Sequence, residues 1–544
     1  MMTQCWRRNL FFSSVNLHSE FNRLLPKERM NDFLGKVSLL SVLTVISRFL
    51  GLARDILLFS AFGTSLHGEA FILAFTLPNL FRRMLGEGTL SSAFIPIYSE
   101  TLKLKTLKVA HSLLNKVLSR LVLFLLAMSL FVCLASFFYS ETNSTDKWSQ
   151  AAKLNTICFS YVALICCAAI VTGALNSHGR FFAGGFSPII LNLSMIATLF
   201  YFGVWQNRSL EELAIFLSFS ILIAGTLQFI LPAEELRRKF QWKCRLDLKG
   251  SEELSRMNQI FWIGALGAAV IQVNILVSRF LAFSLDENGS LAYLFLSARL
   301  IELPLGVFAI SISTVMFPEL SKASSSHNKT LFSNYLYRGF RVTSAIILPA
   351  ALGLAMLAGP ILSVLFKWGL FGTEDVKIAS EILSISAAGL PFYAFSAFLV
   401  KAFHSKQNMT LPLQAAIISM SANLIFSLIL MKSFGTHGLA WANVIAAIGQ
   451  FFYLFLKTEE LKIGKIVKNK PLHLTSITVA CLGMVLLLLG MEFLMSLENG
   501  KLYDSIRILI YIPLSVICYF LLLHVTGFPE IKDFFNSRKK ALKD

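Results

Sequence analysis

Long apolar stretches, interrupted at short intervals by polar and basic segments, dominate the chain from Met30 onward. A helix needs about 20 mostly apolar residues to cross the hydrocarbon of a bilayer. Fourteen stretches reach that length: 36–63, 69–98, 109–137, 151–176, 182–204, 212–234, 255–285, 290–320, 337–366, 377–402, 411–431, 438–456, 472–495 and 505–526. They predict an all-α polytopic membrane protein with about fourteen transmembrane helices. An even count places both chain ends on one side. The interruptions then alternate between the two faces of the membrane, and their charges can be compared.

The side shared by the termini collects Lys103, Lys105 and Lys108, six basic residues from Arg237 to Lys249, five from Lys457 to Lys470, and Lys532, Arg538, Lys539, Lys540 and Lys543 in the tail. The other side holds little beyond Lys147, Arg208, Lys367, Lys432 and Lys501. The ratio is about 29 to about 5, which predicts that both termini are cytoplasmic. Trp148, Trp205 and Trp368 fall at expected outer edges and Trp242 at an inner one, where interfacial anchoring accounts for them.

Composition narrows the class. Of 544 residues 55% are hydrophobic and 15% charged, with a mean hydropathy of +0.66 and a net charge of +18. A soluble domain carries roughly 25% charged residues, so a soluble globular protein, a disordered chain and a disulfide scaffold are all excluded. The basic excess belongs to cytoplasmic loops that meet anionic lipid, not to a nucleic-acid surface. Six of the eight cysteines lie in apolar runs without metal spacing, and no His-x-x-x-His pair occurs, so no metal site is expected. Residues 1–29 lack the apolar core of a signal peptide and read as a disordered extension or a misassigned start before Met30.

An internal repeat organises the chain. The segment from Glu69 to Glu100 aligns without gaps on the segment from Leu291 to Lys322, pairing Ala70 with Ala292 and Pro96 with Pro318 at one offset of 222. These are spans two and eight, and a shift of six spans preserves orientation. The expected organisation is an N-lobe over 30–240, a C-lobe over 250–460, two further spans over 470–526 and a basic cytoplasmic tail over 527–544. Two parallel six-helix lobes around a central cavity are a transporter architecture.

Ionisable residues inside spans are costly and face a cavity or a partner. In "SRFLGLARD", Ser47, Arg48, Gly51, Arg54 and Asp55 fall within roughly 120° of one helix face, with the glycine central. Asp55 can pair internally with Arg48 or Arg54. In "LPNLFRRMLGEG", Pro78 disfavours a straight helix and Gly86 and Gly88 loosen it further. Arg83 and Glu87 can pair at i, i+4, which leaves Arg82 pointing elsewhere. In span eight Arg299 and Glu302 share a face. Glu69 opens span two at the outer edge, as a gate or a solvated group. Arg279 is left between a cavity cation and a position near the outer end of span seven. Guanidinium suits phosphate, so arginines from opposing lobes with few carboxylates predict a phosphate or pyrophosphate ligand. No paired carboxylates, nucleophile elbow or P-loop indicates an enzyme. A membrane glycosyltransferase would have to rest on His67 and Glu69 alone.

These motifs, "SRFLGLARD", the segment from Glu69 to Glu100 and "SARLIELPLGVFAISISTVMFPEL", resemble the MurJ (MviN) family of lipid II flippases, in the multidrug/oligosaccharidyl-lipid/polysaccharide exporter superfamily. The resemblance runs from about Met30 to the C-terminus. It implies a V-shaped cavity with a cationic N-lobe, and a groove at spans thirteen and fourteen for a polyprenyl tail. It implies a bacterial inner-membrane protein of cell-wall biogenesis. The ligand would be lipid II, the undecaprenyl-pyrophosphate-linked disaccharide peptide, with membrane lipids and other cell-wall synthesis proteins as further partners and no nucleic acid. Arg48, Arg54 and Arg299 match the family's cavity arginines; Ser47, Asn79, Arg82, Arg83 and Glu87 match surrounding motif positions, and Glu69 an acidic one. The expected mechanism is alternating access driven by membrane potential, hinging near Gly51 and the Pro78 break. No cofactor is expected. Some members are thought to bind sodium through carboxylates in spans seven, eleven and twelve; this chain offers only Asn274, Asn423 and Asn443 there. Ala298 also departs from an acidic position of some members. A flippase for another polyprenyl-pyrophosphate glycan and a cation-coupled drug antiporter are the alternatives.

Overall fold

The computed structural model describes residues 27–143, 147–458, 473–494 and 500–532. The expected extension over 1–29, apart from its last three residues, lies outside them, as do Lys462, Lys465, Lys468 and Lys470 and the tail from residue 533. Among the described residues the regular structure is helical throughout: α1 (Lys27–Phe62), α2 (Leu66–Phe81), α3 (Leu90–Leu104), α4 (Leu107–Thr142), α5 (Lys147–Cys158), α6 (Tyr161–Ser177), α7 (Phe182–Thr198), α8 (Leu210–Phe240), α9 (Glu252–Ser284), α10 (Ser290–Pro304), α11 (Ile310–Ser325), α12 (Lys329–Met356), α13 (Ala358–Phe366), α14 (Thr373–Ser405), α15 (Thr410–Lys457), α16 (Leu474–Leu494) and α17 (Lys501–Val525). Side chains of Ser65, Thr106, Ser209, Ser251 and Asn328 accept backbone N–H groups three residues on and so start five of these helices.

Among the described residues ten segments are long and apolar enough to cross a membrane. They cover eleven of the expected spans, because α15 takes in both 411–431 and 438–456. The first, second and seventh expected spans are not among the ten: the second carries a charged motif, and in α1 and α9 some side chains of the apolar run lie outside the described residues. Within α15 the chain bends at Gly435, whose φ of 48° and ψ of −128° leave the helical region. A Cβ at Gly438 would lie 2.3 Å from the Leu430 carbonyl oxygen, so the two arms fold close together there.

The repeated segments share a structural signature. α2 and α3 are joined by a π-helical turn over Arg82–Thr89, and α10 and α11 by another over Leu305–Ala309. In the second repeat Pro304 immediately precedes the π turn. In the first, Pro78 sits inside regular helix and the interruption follows four residues later, with Gly88 at φ −98° and ψ −114°. The expected break at Pro78 is therefore displaced. A proline withholds one N–H from the preceding turn, and the wider π turn accommodates the resulting mismatch. α1 runs uninterrupted through Gly51.

Packing separates the ends of the molecule. One core runs through both lobes, joining Leu58, Phe59, Phe62 and Phe71 to Tyr293, Leu296, Phe366 and Phe371. Farther along the helices there are two separate cores, one around Phe94, Tyr98 and Leu114 that also takes in Leu254 and Met257 from the start of α9, and one around Phe340, Phe398 and Phe403. The fused end is tight. Leu370 N–H donates to the Ser60 carbonyl at 2.9 Å, and Glu287 accepts from Thr436 N and Oγ1 at 3.1 and 2.7 Å. α1 finishes at this end, and α17 begins there, with Lys501 Nζ donating to the Lys367 carbonyl at 2.8 Å. α1 therefore begins, and α17 ends, at the opposite end. There, α3 meets α9 through Lys105–Glu253 and Arg256–Glu100 ion pairs.

α16 and α17 pack on each other and against α12 and α13, where Tyr519 donates to the Ala345 carbonyl at 2.7 Å and Arg341 grips Glu530. Their outer faces expose Leu482, Leu486, Leu509 and Leu521, as lipid-facing helices do. Trp242 is not an interface anchor: it is buried and donates its indole N–H to Asn115 Oδ1 at 2.9 Å.

Candidate substrate cavity between the lobes

α1 carries Arg54 and Asp55 into the fused region, where they are only 7% and 5% exposed. Arg54 uses its planar fork fully. Nε and Nη2 donate to Asp55 Oδ1 at 3.0 and 2.6 Å, and Nη1 donates to Asn192 Oδ1 at 3.0 Å. Asn192 on α7 donates its amide to the Ser47 carbonyl at 3.1 Å. Gly51 faces this contact, and a Cβ there would sit in ordinary van der Waals contact with Asn192 Nδ2 at 3.6 Å. The sequence face therefore exists, but Ser47 contributes its backbone to it.

The free oxygen of Asp55 faces the other lobe. Arg299 Nε of α10 lies 3.4 Å from Asp55 Oδ2, an ion pair across the interface. Arg299 Nη1 also meets Glu302 Oε2 at 3.3 Å, and Arg83 Nη2 lies 4.0 Å from Glu302 Oε1. Cations and anions thus alternate from Arg54 through Asp55, Arg299 and Glu302 to Arg83, crossing between the lobes twice. Arg54 and Asp55 are buried and Arg83, Arg299 and Glu302 are partly exposed, and each carboxylate lies between guanidiniums. Asn79 lines the same cavity, together with Phe75, Phe295 and Ala298.

Three placements differ from the sequence expectation. Arg48 does not line this cavity and does not pair with Asp55. It is exposed, with its guanidinium 3.6 Å from where a Cβ on Gly306 would sit, in the opposing lobe. Arg82 donates to Asn79 Oδ1 at 3.1 Å and lines a different pocket, inside the N-lobe, with Ser91, Thr172, Asn176 and Ser187. Adjacent residues on a helix point about 100° apart, which separates Arg82 from Arg83. The Glu87 side chain of the expected Arg83–Glu87 pair lies outside the described residues. Glu69 is not a solvated edge group. It is buried, and its Oε1 accepts the backbone N–H groups of Leu291 and Ala292 at 2.6 and 3.1 Å, capping α10 from the other lobe.

Sequence reasoning missed Asn192, Phe295 and Thr76, and left Arg279 open. Neutral residues inside an apolar run give no charge signal, so only packing identifies them. Arg279 lines the cavity, bonds to Thr76 Oγ1 on α2 and lies 5.3 Å from the Phe295 ring centroid. Arg299 lies 5.2 Å from the same ring.

Two of the residues considered for sodium, Asn274 and Asn423, are hydrogen-bonded to each other. Asn423 Nδ2 donates to Asn274 Oδ1 at 2.8 Å and to Ser278 Oγ at 2.7 Å, and Ser427 donates to Asn423 Oδ1 at 3.2 Å. The amide oxygens are already used as acceptors, and the cluster contains no carboxylate. Asn443 lies apart from it, bonding the Leu439 carbonyl at 3.0 Å.

Two repeated helical lobes, fused at one end around a charged cavity, define a polytopic transporter of the two-lobe, alternating-access class. The same fold occurs in an inward-facing multidrug resistance transporter of the MATE family, at a TM-score of 0.62 over 79% of this chain and 99% of that one, with 13% identity. The family model for the lipid II flippase MurJ matches residues 58–506, and the chain belongs to that family. A probable lipid II flippase MurJ of Bdellovibrio bacteriovorus is 31% identical, covering 93% of this chain and 97% of its own. One of Buchnera aphidicola from Acyrthosiphon pisum is 29% identical, over 91% and 98%. A solved lipid II flippase MurJ in an inward closed conformation superposes with a TM-score of 0.74 at 26% identity, over 91% and 99%.

Proposed function

We propose that this protein is a flippase that carries lipid II from the inner to the outer leaflet of the bacterial cytoplasmic membrane. Family membership supports the substrate, and the charge chain from Arg54 to Arg83 supports the way it is held. Its ion pairs are made between the two lobes, so a diphosphate entering the cavity competes with Asp55 and Glu302 for the same guanidiniums. Guanidinium presents donors in the planar geometry that phosphate oxygens accept. Substrate binding therefore loosens the carboxylate links that hold the lobes in one arrangement.

Loop charges place both termini in the cytoplasm. The fused end then faces outward, and the end with separate cores faces the cytoplasm. The exposed ion pairs at that end, Lys105–Glu253 and Arg256–Glu100, are weak closures that solvent competes for. Substrate enters there, and rocking of the lobes opens the opposite end. Two negative charges on the diphosphate move outward, down an inside-negative potential that supplies about 2.3 kcal/mol per charge per 100 mV. The groove beside α16 and α17 accommodates the polyprenyl tail outside the polar cavity.

Bacteria depleted of their own lipid II flippase test the reading. Growth and lipid II in the outer leaflet should be restored by the wild type but not by Arg54→Ala or Arg299→Ala, each verified as inserted. Transport by both variants would remove the cavity from the mechanism. No rescue by inserted wild type would shift the substrate to another polyprenyl-diphosphate glycan.

A further inference from the structure

Arg54, Arg83 and Arg299 each approach a carboxylate within the cavity. Arg279 does not: among the described residues its partners are the Thr76 hydroxyl and the Phe295 ring. Among the described residues the lining contains four guanidiniums and two carboxylates, which leaves two positive charges in excess. Arg279 and Arg299 also share one ring, their guanidinium carbons lying 5.3 and 5.2 Å from its centroid. Two like charges gathered on one ring in a membrane-embedded cavity repel, and the ring quadrupole offsets only part of the cost. An anion able to touch both removes the repulsion. A diphosphate diester carries two negative charges, one on each phosphate, and matches the excess.

We infer that Arg279 is a substrate-binding residue that, with Arg299, makes the cavity select a diphosphate over a monophosphate. The inference rests on the proposed function for its ligand class. Its Thr76 bond holds the guanidinium at the lobe interface while the cavity is free of ligand, and the phenyl ring fixes its plane. The second phosphate is the group it reads. The first is held by the Arg54 and Arg299 side, where the carboxylate of Asp55 gives way.

The test uses the full-length protein in lipid nanodiscs and compares affinities for lipid II, undecaprenyl diphosphate and undecaprenyl monophosphate. Wild type is expected to prefer the diphosphate. Arg279→Gln should lose roughly tenfold or more in diphosphate affinity, the effect of one hydrogen-bonded charge, with little change for the monophosphate. Arg279→Lys keeps the charge and loses the fork, and should lose about threefold of the preference. Thr76→Val removes the bond to α2 but leaves the guanidinium, and should keep the preference. An unchanged preference in either folded Arg279 variant overturns the inference. So does an equal loss in Thr76→Val, which would make Arg279 a clamp between lobes. Wild type that prefers diphosphate but ignores the lipid II head group would overturn the lipid II reading and leave the role of Arg279 standing.

Discussion

The carboxylate of Glu69 accepts the backbone N–H of Leu291 at 2.6 Å, and Leu291 occupies the position that the internal repeat aligns with Glu69. A residue that touches its own counterpart lies at the axis relating two repeats. The first turn of α10 points its unsatisfied N–H groups and its positive dipole end at that axis, and Glu69 neutralises both. The contact therefore ties the lobes together at the fused end.

Breaking this tie should favour opening of that end. Glu69→Ala removes a charge-assisted acceptor, a loss that corresponds to roughly tenfold or more in the closed-to-open ratio. Glu69→Gln, which keeps an acceptor, should lose less. Labelling of a cysteine placed at Thr64 by a membrane-impermeant maleimide reads the change; equal labelling in all three backgrounds would show that the cap does not hold the end closed.

Asp55 sits between Arg54 and Arg299. Asp55→Ala leaves two guanidiniums facing each other without a counter-ion. The cost of removing one member of a buried ionic group is on the order of 3 kcal/mol. Thermal unfolding of the purified protein should shift downward by several degrees. Adding a diphosphate lipid should recover part of the loss in this variant, since it supplies the missing negative charge.

Gly369 has a φ of +57°, and a Cβ there would lie 2.2 Å from the Ser60 carbonyl oxygen. Both the conformation and the space demand glycine. Gly369→Ala should cost at least about 1–2 kcal/mol from the left-handed backbone alone, and displace the Leu370 N–H from Ser60. Faster hydrogen exchange at Leu370, with unchanged exchange in α16, is the expected result.

Acidification should weaken the contact at the opposite end. The hydrogen bond from Lys105, helped by backbone N–H donation at the start of α9, holds Glu253 down to about 2 from the ordinary 4.5. A depressed carboxylate stabilises the link above its unfolded value, and that contribution disappears as pH falls from about 4.5 through about 2. Spin labels at Lys108 and Glu252 should move apart over that window in wild type. In Glu253→Gln they should already be apart at neutral pH and show no such transition.

Much of the architecture was legible along the chain because it depends on local regularities. Apolar run length marks the spans, and the gap-free offset of 222 marks the repeat, which the paired π turns at Arg82–Thr89 and Leu305–Ala309 repeat in three dimensions. Helix geometry alone places Arg299 with Glu302, because residues three apart share a face, whereas adjacent Arg54 and Asp55 meet through the reach of the long arginine side chain. The arginines identify an anion-binding cavity by their cost: such residues are kept in a span only when something faces them.

Partner choice between helices is not written in local spacing. Arg48 and Arg54 belong to the same sequence face, but packing of α7 selects Arg54 for Asn192 and leaves Arg48 exposed beside the opposing lobe. Arg82 and Arg83 are adjacent and point about 100° apart around the helix, and packing gives each a different cavity. Glu69 meets a pair of backbone amides, which no sequence pattern distinguishes from any others. The sequence by itself determined a helical, repeated membrane protein with cationic faces, since periodicity and charge act along one element. Tertiary structure decided that Asp55 bridges the lobes, that Glu69 caps α10 and that Arg279 joins the cavity. Each of these contacts needs two helices brought together at a particular rotation and depth.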